Sequence, residues 1–401
     1  RGSVFRAAGV PHPDAGAPTS EPFTGWPATA GDCPAGIYPA QFRSGSLLQR
    51  CWVTGIETAG NNVSACLDAD GNNQCDWRAT NPLAQFAFPF TNSYAASGDA
   101  VPDRQAAVTN LFYWNNVLHD WLYSLGFDET SGNFQADNYG RGGFGVDAVQ
   151  ADAQDGAGLN SANFATPPDG SAPRMQAYLF TDNGSFRRRD STFDGDVLTH
   201  EYIHGLTLRL VGGPFNTNSL PLWQSGALGE GWSDAYAASF TSDPVIGEYL
   251  SATPATGIRS VAYNNSPYTF GRFGVLYRRN VGPLNLIIDL PQVHRDGEIW
   301  ATVLWDLRAA LGKTTFEQLV TNALKLTPSR PSMLDARTAL LQAAPALGVS
   351  PCAVWTVFAG RGFGASAALN HIQSGLTNDT ALSVYEAFDP PASCGGAPPQ
   401  T

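Results

Sequence analysis

The sequence predicts an α+β protein in two lobes, with strands concentrated early in the chain and helices late. Three observations lead there. Residues 1–100 are rich in Gly, Pro, Thr and Asn and carry short alternating apolar runs, the pattern of strands joined by turns. After residue 195, apolar side chains recur at helical spacing in one segment after another. The chain has 401 residues, 43% of them apolar, which is ample for a sizeable core.

Each element can be justified in order. "NNVSACLDADGNNQCDW", residues 61–77, reads as strand and turn. Its "DADGN" resembles part of a calcium loop but lacks the trailing Glu of the EF-hand spacing, so a tight turn closed by Cys66–Cys75 is the expectation. Residues 103–125 have helical periodicity with Asp103 as the cap. His119 on that helix is expected to be a hydrogen-bonded core histidine rather than a metal ligand. From 139 to 195 the text is again rich in Gly, Asp and Asn, with one strand in "RMQAYLF". "GRGGFG", residues 140–145, fits a dinucleotide fingerprint formally, but acidic "VDAVQADAQDG" follows it and no βαβ unit surrounds it. Helices are then expected at 195–211, 226–241, 297–311, 315–326 and 332–344.

Composition narrows the function. A net charge of −12 argues against a nucleic-acid partner, which needs a basic patch. No run of eighteen apolar residues exists to span a membrane. Six cysteines without a CxxC pair point to disulfides. Sequence order suggests Cys33–Cys51, Cys66–Cys75 and Cys352–Cys394, out of fifteen pairings; buried free thiols are the alternative. Disulfides imply export, and the start "RGSVFRAAG" is expected to belong to a mature form whose signal has been removed.

The chemistry gathers in "DGDVLTHEYIHGLTLRLVGG", residues 194–213. His200 and His204 are four apart, so a helix projects both from one face, with Glu201 close to that face. Two imidazoles at this spacing can grip one Zn²⁺ while the carboxylate reaches a water. Apolar Leu198, Tyr202, Ile203, Leu206 and Leu210 cover the other sides, and Gly212–Gly213 stops the helix. Burying such groups without partners would cost several kcal/mol. A third ligand should come from downstream, and "QSGALGEGWSDAYAASF" offers Glu230. Asp234, four residues on, faces the same way and would accept the free N–H of a ligand histidine. Gly226, Gly229 and Gly231 allow close backbone approach there.

"THEYIHG" followed by "SGALGEGWSDAYA" resembles the fungalysin family of secreted metalloendopeptidases, distant relatives of thermolysin. "NLFYWNNVLHDWLYSLGFDETSGNFQ", "NSANFATPPDGSAPRMQAYLF", "VHRDGEIWATVLWDL" and "PCAVWTVFAGRGFGASA" extend the resemblance over residues 85–365. It implies a thermolysin-like fold: a β-rich lobe over 1–205 ending in the HEYIH helix, and a mainly helical lobe over 206–401. It also implies one catalytic zinc held by His200, His204 and Glu230, with Glu201 as general base. The expected protein is a secreted monomer, made as a precursor inhibited by its own pro-segment. It would cut proteins and peptides internally, with a large apolar residue after the cut.

The resemblance assigns further roles. His294, in "VHRDGEIW" just ahead of a helix starting near Asp296, matches a histidine that stabilises the transition state. Thermolysin relatives carry a tyrosine where this chain has Pro221, so any second donor must come from elsewhere. Arg259 in "GIRSVAY" is a candidate anchor for a substrate carbonyl. "YGRGGFGVDAVQ" matches the place where relatives bind substrate as an added strand, with Asp147 as a candidate contact. Asp147, Asp152 and Asp155 could hold Ca²⁺, or form a solvated acidic loop. Two other readings compete. A zinc aminopeptidase shares the metal motif but needs a GxMEN-like segment, which the chain lacks; a secreted binding module with a relict site is the non-enzyme alternative.

Overall fold

The computed structural model describes residues 3–6, 19–22, 36–39, 51–82, 86–221, 223–275, 277–281, 286–290, 292–370 and 383–396. Among them are twelve short strands and eight α-helices. The strands are β1 Ser3–Arg6, β2 Thr19–Pro22, β3 Val63–Leu67, β4 Val149–Ala153, β5 Ala162–Ala165, β6 Arg174–Ala177, β7 Leu179–Phe180, β8 Arg189–Asp190, β9 Tyr277–Val281, β10 Leu286–Leu290, β11 Ala368–Leu369 and β12 Val384–Tyr385. The helices are α1 Ser93–Ser97, α2 Arg104–Ser124, α3 Gly195–Leu210, α4 Trp223–Thr241, α5 Val293–Leu311, α6 Lys313–Leu326, α7 Met333–Ala343 and α8 Pro351–Gly360.

The largest sheet has the order β3-β4-β6-β5. Its first three strands run parallel and β5 runs antiparallel to β6. β4 lies inside the sheet, and Val149, Ala151 and Ala153 along it are fully buried. Beyond β6, the four-residue β5 pairs with no other strand among the described residues, so its outer edge is open to another strand. The expected "RMQAYLF" strand is divided: Tyr178 separates β6 from β7, and β7 pairs instead with β8. α2 packs across β3 and β4, while α3 packs against β5 and β6 on one side and α4 on another. Most buried apolar side chains form one continuous cluster running from Ile37 to Ala367.

α2 forms as its periodicity requires, but Asp103 does not cap it with its side chain. The carboxylate accepts instead from Thr91 N at 2.6 Å and Ser93 N at 2.9 Å, tying down the preceding segment. His119 is buried as expected, with Nδ1 2.9 Å from Asp120 Oδ1. α3 starts where Asp194 accepts from Asp196 N and Val197 N, at 3.1 and 3.2 Å. It stops before Gly212 and Gly213, whose φ angles of 75° and 90° suit glycine.

α4 and α5 pack most extensively of all element pairs. A Cβ on Gly231 would lie 2.6 Å from Gly297 O, and one on Gly297 would lie 2.8 Å from Glu230 Cβ. Two glycines therefore let the helix backbones touch beside Glu230.

Of the three expected cysteine pairs one is formed, one is not, and one includes a residue outside those described. Cys352–Cys394 is a disulfide joining α8 to the chain near its end. Cys51 is also disulfide-bonded, and its expected partner Cys33 lies outside the described residues. Cys66 and Cys75 are free thiols, contrary to the expected bridge. Carboxylates close that turn instead. Asp68 accepts from Asn72 N at 3.1 Å and Asn73 N at 2.8 Å, and Asp76 accepts from Ala69 N at 2.9 Å.

Candidate metal centre

α3 carries His200 and His204 one turn apart, and their Nε2 atoms face each other at 3.1 Å. α4 brings Glu230 across, with Oε2 3.2 Å from His200 Nε2 and 3.8 Å from His204 Nε2. One ligand atom from each residue lies within 4.8 Å of the others. The arrangement calls for a cation. Glu230 Oε2 is buried, yet no group meets it with hydrogen-bond geometry. Two imidazoles and one carboxylate form a donor set suited to Zn²⁺, with room for a water.

The electrostatics agree. Burial alone would lower His200, but the Asp234 and Glu230 carboxylates outweigh it and push the ring up to about 10. His204 moves the other way, to about 4, because burial dominates. Burial works against ionised Glu230 as well, and the surrounding imidazoles still hold it well below the usual carboxylate range. Positive charge is thus drawn to the point where the three side chains meet.

Asp234 stands behind the ligands. It is 1% exposed, and its Oδ1 lies 2.7 Å from His200 Nδ1. Arg259 grips the same carboxylate with both Nε, at 2.6 Å, and Nη2, at 2.8 Å. The Tyr263 hydroxyl also donates to it. These charges hold Asp234 ionised despite its burial, so it can only accept. His200 Nδ1 therefore carries a proton, and in the neutral ring Nε2 is left with the lone pair a metal needs. Tyr263 was missed in the sequence, because it comes from an irregular segment with no motif of its own. The segment is fixed to α5, since Ser260 donates to Glu298 through both its N–H, at 3.1 Å, and its hydroxyl.

A cavity of about 420 Å³ opens beside these residues. His200, Glu201, Arg259 and His294 line it, with apolar walls from Phe180, Phe186, Val197, Ile246 and Ile258. Burial pushes the Glu201 carboxyl up to about 7. His294 lies in the first turn of α5 rather than ahead of it, because Gln292 caps that helix. Its Nε2 is 3.4 Å from Glu230 Oε2, and its side chain is 45% exposed.

Asp147 requires a correction. Its side chain is fully buried, with Oδ1 accepting from Gln135 N at 3.0 Å and Oδ2 from Arg209 Nη1 at 3.1 Å. Arg209, on α3, is equally buried and needs a counter-charge, so it draws Asp147 inward, and Asp147 does not line the cavity. Asn160, Ser161 and Ala162, at the start of β5, line the cavity instead. Asp147 is also absent from the acidic groupings among the described residues; Asp152 and Asp155 gather with Asp68, and Asp68 gathers separately with Asp70 and Asp76.

Helix-borne imidazoles and a carboxylate from the neighbouring helix, beside a cavity that Glu201 lines, have the make-up of a metal centre. Comparison with known proteins gives the family: residues 39–367 match the model for fungalysin metallopeptidases (M36), and the chain belongs to that family. It is 38% identical over 344 residues to "Extracellular metalloproteinase MEP" of Pyricularia oryzae, covering 77% of this chain and 52% of that protein. It is 39% identical over 348 residues to the protein of the same name in Fusarium vanettenii, with the same coverage of 77% and 52%. With "Extracellular metalloproteinase 4" of Trichophyton soudanense it shares 36% identity over 351 residues, covering 78% of this chain and 85% of the relative. The chain thus spans about half the length of the first two relatives.

Proposed function

We propose that this protein is a secreted zinc endopeptidase that hydrolyses internal peptide bonds of proteins. The observation that carries the reading is the convergence of His200, His204 and Glu230 on one point, with His200 and the adjacent Glu201 lining the neighbouring cavity. His200, His204 and Glu230 would hold the metal, with Asp234 orienting His200. When bound there, Zn²⁺ would supply Lewis acidity and a nucleophile potent at neutral pH.

The chain's own groups then divide the work. Glu201 accepts the proton of the attacking water and passes it to the leaving amine. A carboxyl raised to about 7 by burial suits both tasks. His294 donates from Nε2 to the oxygen on which charge develops. Pro221 has no side-chain donor to add. Arg259 commits Nε and Nη2 to Asp234, which leaves Nη1 to anchor a substrate carbonyl in the cavity. The open edge of β5 receives the substrate as an added strand, and the walls of Phe180, Val197, Ile246 and Ile258 accept a large apolar residue after the cut.

The finer architecture follows the same reading. It has two thermolysin-like lobes, 1–205 and 206–401, with α3 at the floor of the cleft. The relatives are named extracellular, and no helix among the described residues is long and apolar enough to cross a membrane. We infer a monomer whose cleft is covered before maturation by its own pro-segment, with Asp68, Asp152 and Asp155 available to Ca²⁺.

Glu201→Gln tests the proposal beside the parent. Both should bind about one zinc per chain, while only the parent cleaves casein and an end-blocked peptide, and loses that activity with chelator. Cleavage confined to peptides with a free amino terminus would instead identify an aminopeptidase. Zinc binding without any cleavage would identify a binding module.

A further inference from the structure

Gln292 caps α5 and touches His294 with the same amide. Its Oε1 accepts from Arg295 N at 2.8 Å, and its Nε2 lies 3.1 Å from His294 Nδ1. A backbone N–H can only donate, so the oxygen end of the amide is fixed toward Arg295. The NH₂ end can also only donate, and it faces Nδ1. Nδ1 must therefore accept, and the proton of the neutral ring resides on Nε2. That is the nitrogen 3.4 Å from Glu230 Oε2, on the side of the metal centre.

The residue type supports this reading. Ser, Thr, Asp and Asn are the preferred helix caps, and glutamine is not among them. A shorter cap could satisfy Arg295 N but would not extend to the ring. A glutamate could cap equally well but would present an acceptor to Nδ1 and favour the opposite tautomer.

We propose that Gln292 is a positioning residue that locks His294 in its Nε2–H tautomer, so that the ring presents a donor to the oxygen on which charge builds. The proposal rests on the peptidase reading for its purpose, though not for its geometry. One side-chain amide thereby couples the start of α5 to the proton placement on the residue two positions later.

The test uses zinc-loaded protein with ¹⁵N-labelled histidine rings, at a pH where His294 is neutral, the His294 signals being assigned by their loss in His294→Phe. In the parent, Nδ1 should resonate as a pyridine-like nitrogen and Nε2 as a pyrrole-like one. Gln292→Glu keeps the acceptor for Arg295 N and replaces the donor facing the ring, so Nδ1 should become pyrrole-like while the protein stays folded. Gln292→Met should give averaged shifts at both nitrogens. Its kcat should fall about fivefold with KM nearly unchanged, short of the ~10²–10³ that loss of an oxyanion donor costs. A pyrrole-like Nδ1 in the parent, or one pattern shared by parent and Gln292→Glu, overturns the proposal while leaving the peptidase reading intact. The expected ring pattern in a parent that cleaves nothing would uphold the tautomer lock and remove the peptidase reading.

Discussion

Arg209→Met should destabilise the fold by about 3–5 kcal/mol, the usual cost of stranding one partner of a buried ion pair. Methionine keeps most of the side chain's length and its apolar stem, so the packing loss is small. What disappears is the guanidinium, which is fully buried. Its Nη1 lies 3.1 Å from Asp147 Oδ2, 3.3 Å from Asp169 Oδ1 and 2.8 Å from Gly132 O. Nε and Nη2 serve the carbonyl oxygens of Pro167, Pro168 and Ser171 at 3.1, 3.3 and 3.3 Å. Burial already pushes Asp147 up to about 6 with Arg209 beside it. A folded-state value above the unfolded one means the folded protein holds that proton more tightly. The associated stability is complete below about pH 4 and is lost as pH rises through about 6. Removing the cation raises Asp147 further, so the gap between variant and parent should widen from about pH 5 to about pH 8. Urea unfolding of the zinc-loaded proteins, followed by tryptophan fluorescence, measures it. Adding Asp147→Asn to Arg209→Met should recover at least about 1 kcal/mol at the higher pH. A gap independent of pH, with no recovery in the double variant, would refute the reasoning.

Other perturbations read different parts of the molecule. Asp234→Asn should weaken zinc binding by about 10–100-fold, measured by competition against a chelating dye, because the amide no longer fixes the proton of His200. Gly231→Ala should cost about 1–3 kcal/mol in unfolding experiments, since its Cβ would meet Gly297 O at 2.6 Å and Trp300 Cβ at 2.7 Å. Burial pushes buried Asp296 up to about 7. Its contribution to stability should therefore be present in acid and lost as pH rises through neutrality, and Asp296→Asn should flatten that part of the stability profile.

What the sequence revealed depended on whether a residue acts through local spacing or through distant contact. His200, Glu201 and His204 were legible because helical periodicity alone puts them on one face, and Glu230 and Asp234 repeat the argument one helix later. The glycines near Glu230 were read as points of close approach, and Gly231 is one. Most helix limits fell within a residue or two of expectation, but α4 begins at Trp223 and α5 at Val293, ahead of the expected 226 and 297. The α5 start was hidden because glutamine is a weak signal for a cap. Asp147 was misplaced because pairing with Arg209 depends on a contact between residues 62 apart. The open edge of β5 could not be foreseen either, since strand order is not written in any local pattern. α8 was overlooked as a helix, although Pro351 behind a Ser350 cap is a start signal.

The meeting of α4 and α5 at Gly231 and Gly297 has an evolutionary reading. Backbone wedged against backbone fixes how far Glu230 stands from His294, whatever polypeptide runs between the two helices. The intervening stretch supplies Ile246 and Ile258 to the cavity wall, so changes there that keep Arg259 and Tyr263 in place would reshape the cavity while the spacing of Glu230 and His294 stays set by the glycines. On the peptidase reading proposed above, lineages would then diversify the peptides they accept while inheriting unaltered chemistry.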